Sequence, residues 1–145
     1  MTKITILSTL LLAGCTYYPE SLSMTEQAPF CTYDIPQCGL ELSYNLFNIT
    51  ENCNNKNAVK VQIHNLGEGS CGIAIQKGED KTIYIDPAYT LQDLNIIIAH
   101  EFGHLYGYHH SAGDCDLMRF AVPMETCATF FFNGKEYDNT INYCE

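Results

Sequence analysis

The chain has 145 residues, with 17 acidic against seven basic side chains, a formal net charge of −10 and 46% hydrophobic residues. That length suits one small domain. The acidic balance argues against a nucleic-acid binder, which needs a basic surface to meet phosphate, and against a polybasic grip on anionic lipid.

Residues 1–14 (MTKITILSTLLLAG) join a basic Lys3, an apolar run from Ile4 to Leu12 and small residues. This order predicts a secretory signal peptide, since the run is too short for a permanent membrane-spanning helix. Its end, Leu12-Ala13-Gly14-Cys15, resembles the lipobox of bacterial lipoproteins. The resemblance implies cleavage before Cys15, lipid on that cysteine and a firm membrane anchor. Thr16 in the next position favours, by the same resemblance, the outer membrane or cell surface. Without the leader, six basic residues face 17 acidic ones, a charge near −11.

Residues 15–30 are polar, carry two prolines and read as a lipidated cysteine and its tether. Residues 31–145 then form the domain. From Cys31 to Asn57 the pattern is mixed. Leu40, Leu42, Leu46 and Ile49 allow a helix that the Asn-rich stretch from Asn52 ends, and no first strand stands out.

From Ala58 to His64 apolar and polar residues alternate, which predicts a strand with one buried face. Cys71 to Gln76 and Lys81 to Asp86 read as two further strands. Lys77-Gly78-Glu79-Asp80 has turn chemistry and joins them as a hairpin. Thr90 to about Tyr106 is the strongest helix, with Thr90 and Asp93 as a capping box. Ile96, Ile97, Ile98 and Ala99 make it apolar all round, hence central. Gly107 stops it. Tyr137 to Cys144 reads as a short closing helix. The fold class is α+β.

Seven cysteines remain besides Cys15: Cys31, Cys38, Cys53, Cys71, Cys115, Cys127 and Cys144. No CxxC pair occurs, so a thiolate zinc site or redox dithiol is disfavoured. An exported domain this small is expected to be stapled by disulfides, at most three, with one thiol left over. The pairing stays open.

The chemistry concentrates in HEFGHLYGYHH, residues 100–110. His100 and His104 stand four apart, so they share one helix face and can bind one ion. Glu101 points about 100° round the axis, beside rather than among the ligands. Gly107 breaks the helix, and a turn there can bring His110 to the same ion. Three neutral nitrogens leave a fourth position for water, the open arrangement of a catalytic zinc. His109 misses that spacing by one, and His64 on an alternating strand faces solvent.

HExxHxxGxxH, here His100, Glu101, His104, Gly107 and His110, resembles the metzincin clan of zinc endopeptidases. Met118 fits the clan's methionine turn, and Ser111 after the third histidine is the matrixin-like choice. The resemblance implies a small protease domain with a twisted mixed sheet and a central active-site helix. It also implies one catalytic Zn²⁺, and an exposed edge strand that pairs with extended substrate, here Cys71, Gly72, Ile73, Ala74, Ile75 and Gln76. Residues 118–123 would line a substrate pocket. The Asp/Gly/His-rich loop for calcium and structural zinc is missing, so neither ion is expected. Zinc would polarise the scissile carbonyl and acidify water, and Glu101 would move the proton. Tyr106 and Tyr108 could donate to an oxyanion, although packing is their more ordinary use. Ile35-Pro36-Gln37-Cys38-Gly39 faintly resembles the matrixin latency segment, against which a disulfide is the default for Cys38.

The expected function is a monomeric zinc endopeptidase acting on peptide or protein outside the cytoplasm, membrane-attached through Cys15. The alternative is a non-catalytic zinc-containing surface binding or adhesion lipoprotein, against which the intact Glu101 speaks.

Overall fold

A computed structural model of the protein describes residues 22–89, 93–119, 127–142 and 144. The leader, Cys15 and the first part of the tether lie outside these residues, as do Thr90 and residues 120–126.

The fold is α+β. A five-stranded mixed sheet has the order β2-β1-β3-β5-β4, formed by β1 (Ala28–Tyr33), β2 (Ile49–Glu51), β3 (Val59–Ile63), β4 (Gly72–Lys77) and β5 (Asp80–Ile85). All neighbours are parallel except β4, which runs antiparallel to β5 at the sheet edge. The three strands expected from alternation and turn chemistry are present, each within a residue or so of its expected bounds. The hairpin turns at Gly78, whose φ of 61° suits a residue without Cβ.

Strand β1 is a correction: it begins at Ala28, inside the stretch read as tether. Leu22 and Met24 also pack on the core, and the Leu22 N–H donates to the Leu105 carbonyl (2.9 Å). Pro29 hides this strand in the sequence, because proline cannot complete a ladder on both sides. The geometry resolves the conflict. Ala28 donates its N–H to Asn48 on the β2 side, so the Pro29 nitrogen faces the other way. On that side pairing with β3 starts only at Phe30.

Two helices cover one face of the sheet. Short α1 (Glu41–Leu46) buries Leu42 and Leu46, while Ile49 has already passed into β2. Central α2 (Leu94–Leu105) has every residue buried, as its apolar run predicts. Ile96, Ile97, Ile98 and Phe102 lie at 2% exposure or less, each contributing about 1.5–3 kcal/mol. Asp93 stands at the N-cap, so it is not the third helical residue of the expected capping box. Asn95 ties the layers: its Oδ1 accepts the Leu42 N–H (3.1 Å) and its Nδ2 donates to the Cys38 carbonyl (2.5 Å).

The C-terminal part holds a hairpin of β6 (Thr129–Phe132) and β7 (Lys135–Asp138). The expected helix over 137–144 is therefore corrected. Tyr137 is in β7, and only a 3-10 turn, Asn139–Asn142, follows. Asn133 and Gly134 both take positive φ (52° and 77°), the requirement of a two-residue hairpin turn.

Three disulfides staple the fold: Cys31–Cys53, Cys38–Cys144 and Cys115–Cys127. They are compatible with an extracellular protein. Cys71 keeps its thiol. Among the described residues no helix is long and apolar enough to cross a membrane.

Candidate metal centre

Helix α2 delivers two histidines to one place. His100 and His104 project from the same face, one turn apart. The helix then ends in a Schellman motif. Gly107 donates its N–H to the His104 carbonyl (3.0 Å), and Tyr108 donates to the Gly103 carbonyl (2.9 Å). Gly107 makes this possible with a φ of 93°. The chain reverses and returns His110 to the other two. The ligand atoms of His100, His104 and His110 all lie within 4.8 Å of one another.

The hydrogen bonds decide which nitrogens face inward. His100 Nδ1 lies 2.8 Å from the Leu117 carbonyl, and His104 Nδ1 lies 2.9 Å from the Tyr108 carbonyl. A carbonyl only accepts, so each Nδ1 carries the proton and each Nε2 of the neutral ring is a bare lone pair. The two Nε2 atoms nevertheless stand 3.2 Å apart, and His110 Nε2 stands 3.3 Å from that of His100. Two lone pairs at that distance repel unless a cation lies between them. Ligands about 2.0–2.1 Å from a tetrahedral ion are separated by about 3.3 Å, so the spacing fits a metal ion.

Burial keeps both rings neutral and free for a metal. It lowers the pKa of His100 to about 4, with the His110 ring adding to the effect. It lowers that of His104 to about 3, with His100 and His110 adding theirs. His110 is also lowered, by burial and then by His109. His109 itself is exposed, as is His64, which lies against the Tyr84 ring on the far face of the sheet.

Met118 lies beneath the helix, 3% exposed. A Cβ at Gly103 would stand 2.5 Å from its Sδ, so glycine at 103 is what lets the methionine in. The loop carrying Met118 is closed by the Ser111 N–H on the Met118 carbonyl (2.9 Å). It is also held by the C-terminal hairpin. Leu117 donates to the Phe131 carbonyl and Phe131 donates to the Cys115 carbonyl, both at 2.7 Å. Leu117 in turn orients His100. This hairpin is absent from the elements expected above, although the Asn-Gly pair between aromatic and polar alternation (TFFFNGKEYD) is its visible signal in the sequence.

Glu101 is 2% exposed and points toward the edge strand. A Cβ at Gly72 would lie 3.4 Å from its Oε2 and 2.6 Å from Ile97 Cγ2, so β4 approaches α2 more closely than any other residue there would permit. Burial raises the carboxyl to about 8, against a hydrogen bond from the Ala74 backbone that lowers it. Its Oε1 has no hydrogen-bond partner. The expected edge strand is thus placed beside Glu101, but it spans Gly72 to Lys77. Cys71 precedes it.

Tyr106 is taken up by packing. It stacks on Phe47 (4.9 Å between ring centres), and its hydroxyl donates to the Asn48 carbonyl (3.0 Å). Tyr108 packs on Phe132. Cys38, in its disulfide, has no thiol to offer a metal. Of the stretch read as a substrate pocket, only Met118 and Arg119 are among the described residues.

No protein-family model matches the chain, and neither does any curated protein or solved structure compared with it.

Proposed function

We propose that the protein is a zinc-dependent endopeptidase of metzincin type. The observation that carries this reading is the convergence of three imidazoles, with His100 Nε2 3.2 Å from that of His104 and 3.3 Å from that of His110, beside a buried carboxyl on the helix that carries the first two. The ligand set is three nitrogens, which suits zinc and leaves a position open. HExxHxxGxxH with a methionine packed under the helix supports the clan. The three disulfides and the leader-like residues 1–14 support work outside the cytoplasm, with attachment through Cys15.

A zinc ion held by His100, His104 and His110 supplies Lewis acidity, acidifies water, polarises a carbonyl and favours the ionised form of the adjacent carboxyl. The rest belongs to the chain. Glu101 accepts a proton from water as the water oxygen bonds to the scissile carbonyl carbon. It then delivers that proton to the amide nitrogen as the C–N bond breaks. The free edge of β4 offers backbone groups to an extended peptide, which fixes the scissile bond beside Glu101. Burial of the site excludes bulk water and strengthens these interactions.

The test is cleavage of a mixed peptide library by the purified, oxidised, zinc-loaded protein, beside Glu101→Ala. Loss of the general base is expected to slow cleavage by roughly 10²–10⁴. If both proteins hold one zinc and neither cuts, the site is a clamp and the non-catalytic binding lipoprotein takes its place.

A further inference from the structure

We propose that the face of the β4–β5 hairpin turned away from the core carries a subsite for an acidic side chain of an extended peptide, with Lys60 and Lys77 as the residues that select it. The peptide itself rests on the peptidase reading, and the selection rests on a pocket outside the metal centre. That pocket holds about 210 Å³ and is lined by Lys60, Ile75, Lys77, Asp80, Thr82 and Tyr84. Strand register brings them together. Lys60 of β3, Thr82 of β5 and Ile75 of β4 stand in one row, and Lys77 pairs with Asp80 beside the hairpin turn. Side chains alternate along a strand, so this row faces away from Ala74 and Ile83, which are buried in the core. Lys60, Ile75, Thr82 and Tyr84 are half-buried, and Lys77 and Asp80 are exposed.

Among the described residues neither lysine has an ion-pair or hydrogen-bond partner. Asp80 offsets one of the two charges, which leaves the pocket cationic in a chain of formal net charge −10. The chemistry suits a carboxylate on an apolar stem. The ammonium groups and the Thr82 hydroxyl can donate to the carboxylate, while Ile75 and the Tyr84 ring take the stem. Strand β4 makes the pocket continuous with a bound peptide. It is the edge of the sheet, with no outer partner among the described residues. A peptide added there turns alternate side chains to each face, and those opposite Ile75 and Lys77 turn to the pocket's face. Glu101 meets this strand at Gly72. Ile75 and Lys77 lie about 10 and 17 Å further along it, so the acidic residue stands about three to five residues from the one beside Gly72. The net charge of the protein repels acidic peptides at long range, so a preference for acid reports this local contact.

The experiment uses the zinc-loaded protein and two series of neutral hexapeptides that carry a hydroxamate at one end or the other, which anchors them on the metal. A single Glu, or Gln as its neutral match, is walked along each series, and affinity is read by fluorescence anisotropy. Glu is expected to bind roughly three- to tenfold more tightly than Gln at positions of one parity, and not at the positions between them. The Glu/Gln ratio should fall to one in Lys60→Gln/Lys77→Gln and at about 0.5 M salt. Lys77→Glu should turn the preference at the same positions toward Lys. Melting temperature and zinc content check that each variant is folded. Equal affinity of Glu and Gln peptides throughout, a gain at every position alike, or a gain that survives in the double variant overturns the proposal. If the hydroxamates show the acid preference but no peptide in the mixed library is cut, the peptidase reading fails and the subsite stands. If peptides are cut with no preference that depends on the lysines, the peptidase reading stands and the subsite falls. A protein that binds no hydroxamate places no peptide on β4, and the subsite falls.

Discussion

Gly103 and Met118 meet where a side chain at 103 would leave no room: a Cβ there would lie 2.5 Å from the methionine sulfur. Gly103 sits in the last turn of α2 (Leu94–Leu105), where glycine costs up to about 1 kcal/mol relative to alanine. Met118 is buried and its loop is pinned by Ser111 and Phe131, so it cannot yield freely. Gly103→Ala is therefore expected to lose about 1–3 kcal/mol by overpacking, more than the helix gains. Thermal melting checks the stability, and a metal titration is expected to show weaker binding as the floor of the site shifts.

The two neighbouring histidines should behave as opposites. His110 joins the cluster, while His109 is exposed. Outer partners of metal ligands are worth about 10–100-fold in affinity, so His110→Ala should weaken metal binding by more than roughly 100-fold. His109→Ala should leave it unchanged. Competition against a chelator of known affinity measures both.

The metal-free protein should lose stability on both sides of neutrality, for different reasons. Glu101 is raised from 4.5 to about 8 in the fold. Between those values the folded state binds a proton that the unfolded state lacks, so stability falls as pH rises through that window. His100 and His104 are lowered from 6.5 to about 4 and 3. There the unfolded state takes protons first, and stability falls as pH drops below 6.5. Glu101→Gln removes only the alkaline arm. The metal-free variant is expected to match the parent at pH 4.5 and to exceed it at pH 8 by on the order of a few kcal/mol. Urea unfolding in the presence of a chelator, across that range, reads the difference.

The Cys38–Cys144 bridge closes a span of 106 residues. Replacing both cysteines by serine is expected to cost about 2–5 kcal/mol. A latency thiol at Cys38 would predict the reverse for function, a rise in peptide cleavage. We expect a lower melting temperature and no activation, measured on the same preparation below the melting transition.

Some of this protein was written locally and could be read locally. The alternation of residues 58–64 gives β3, and Lys77-Gly78-Glu79-Asp80 gives a hairpin, because period and turn chemistry are properties of neighbouring residues. The 3.6-residue repeat puts His100 and His104 on one face without any tertiary contact. Gly107 announces the break that frees His110. Other features needed the fold. Pro29 argued against a strand until the register showed that β3 starts pairing one residue later. Asn95 looks like any polar helix residue until α1 and the Cys38 carbonyl close over it. The tautomers of His100 and His104 depend on the carbonyls of Leu117 and Tyr108, and Leu117 is held in turn by Phe131. The disulfide partners, and the thiol left over at Cys71, are matters of distance in space. Composition and period fix what each segment prefers, whereas these contacts join residues far apart in sequence, and only packing brings them together.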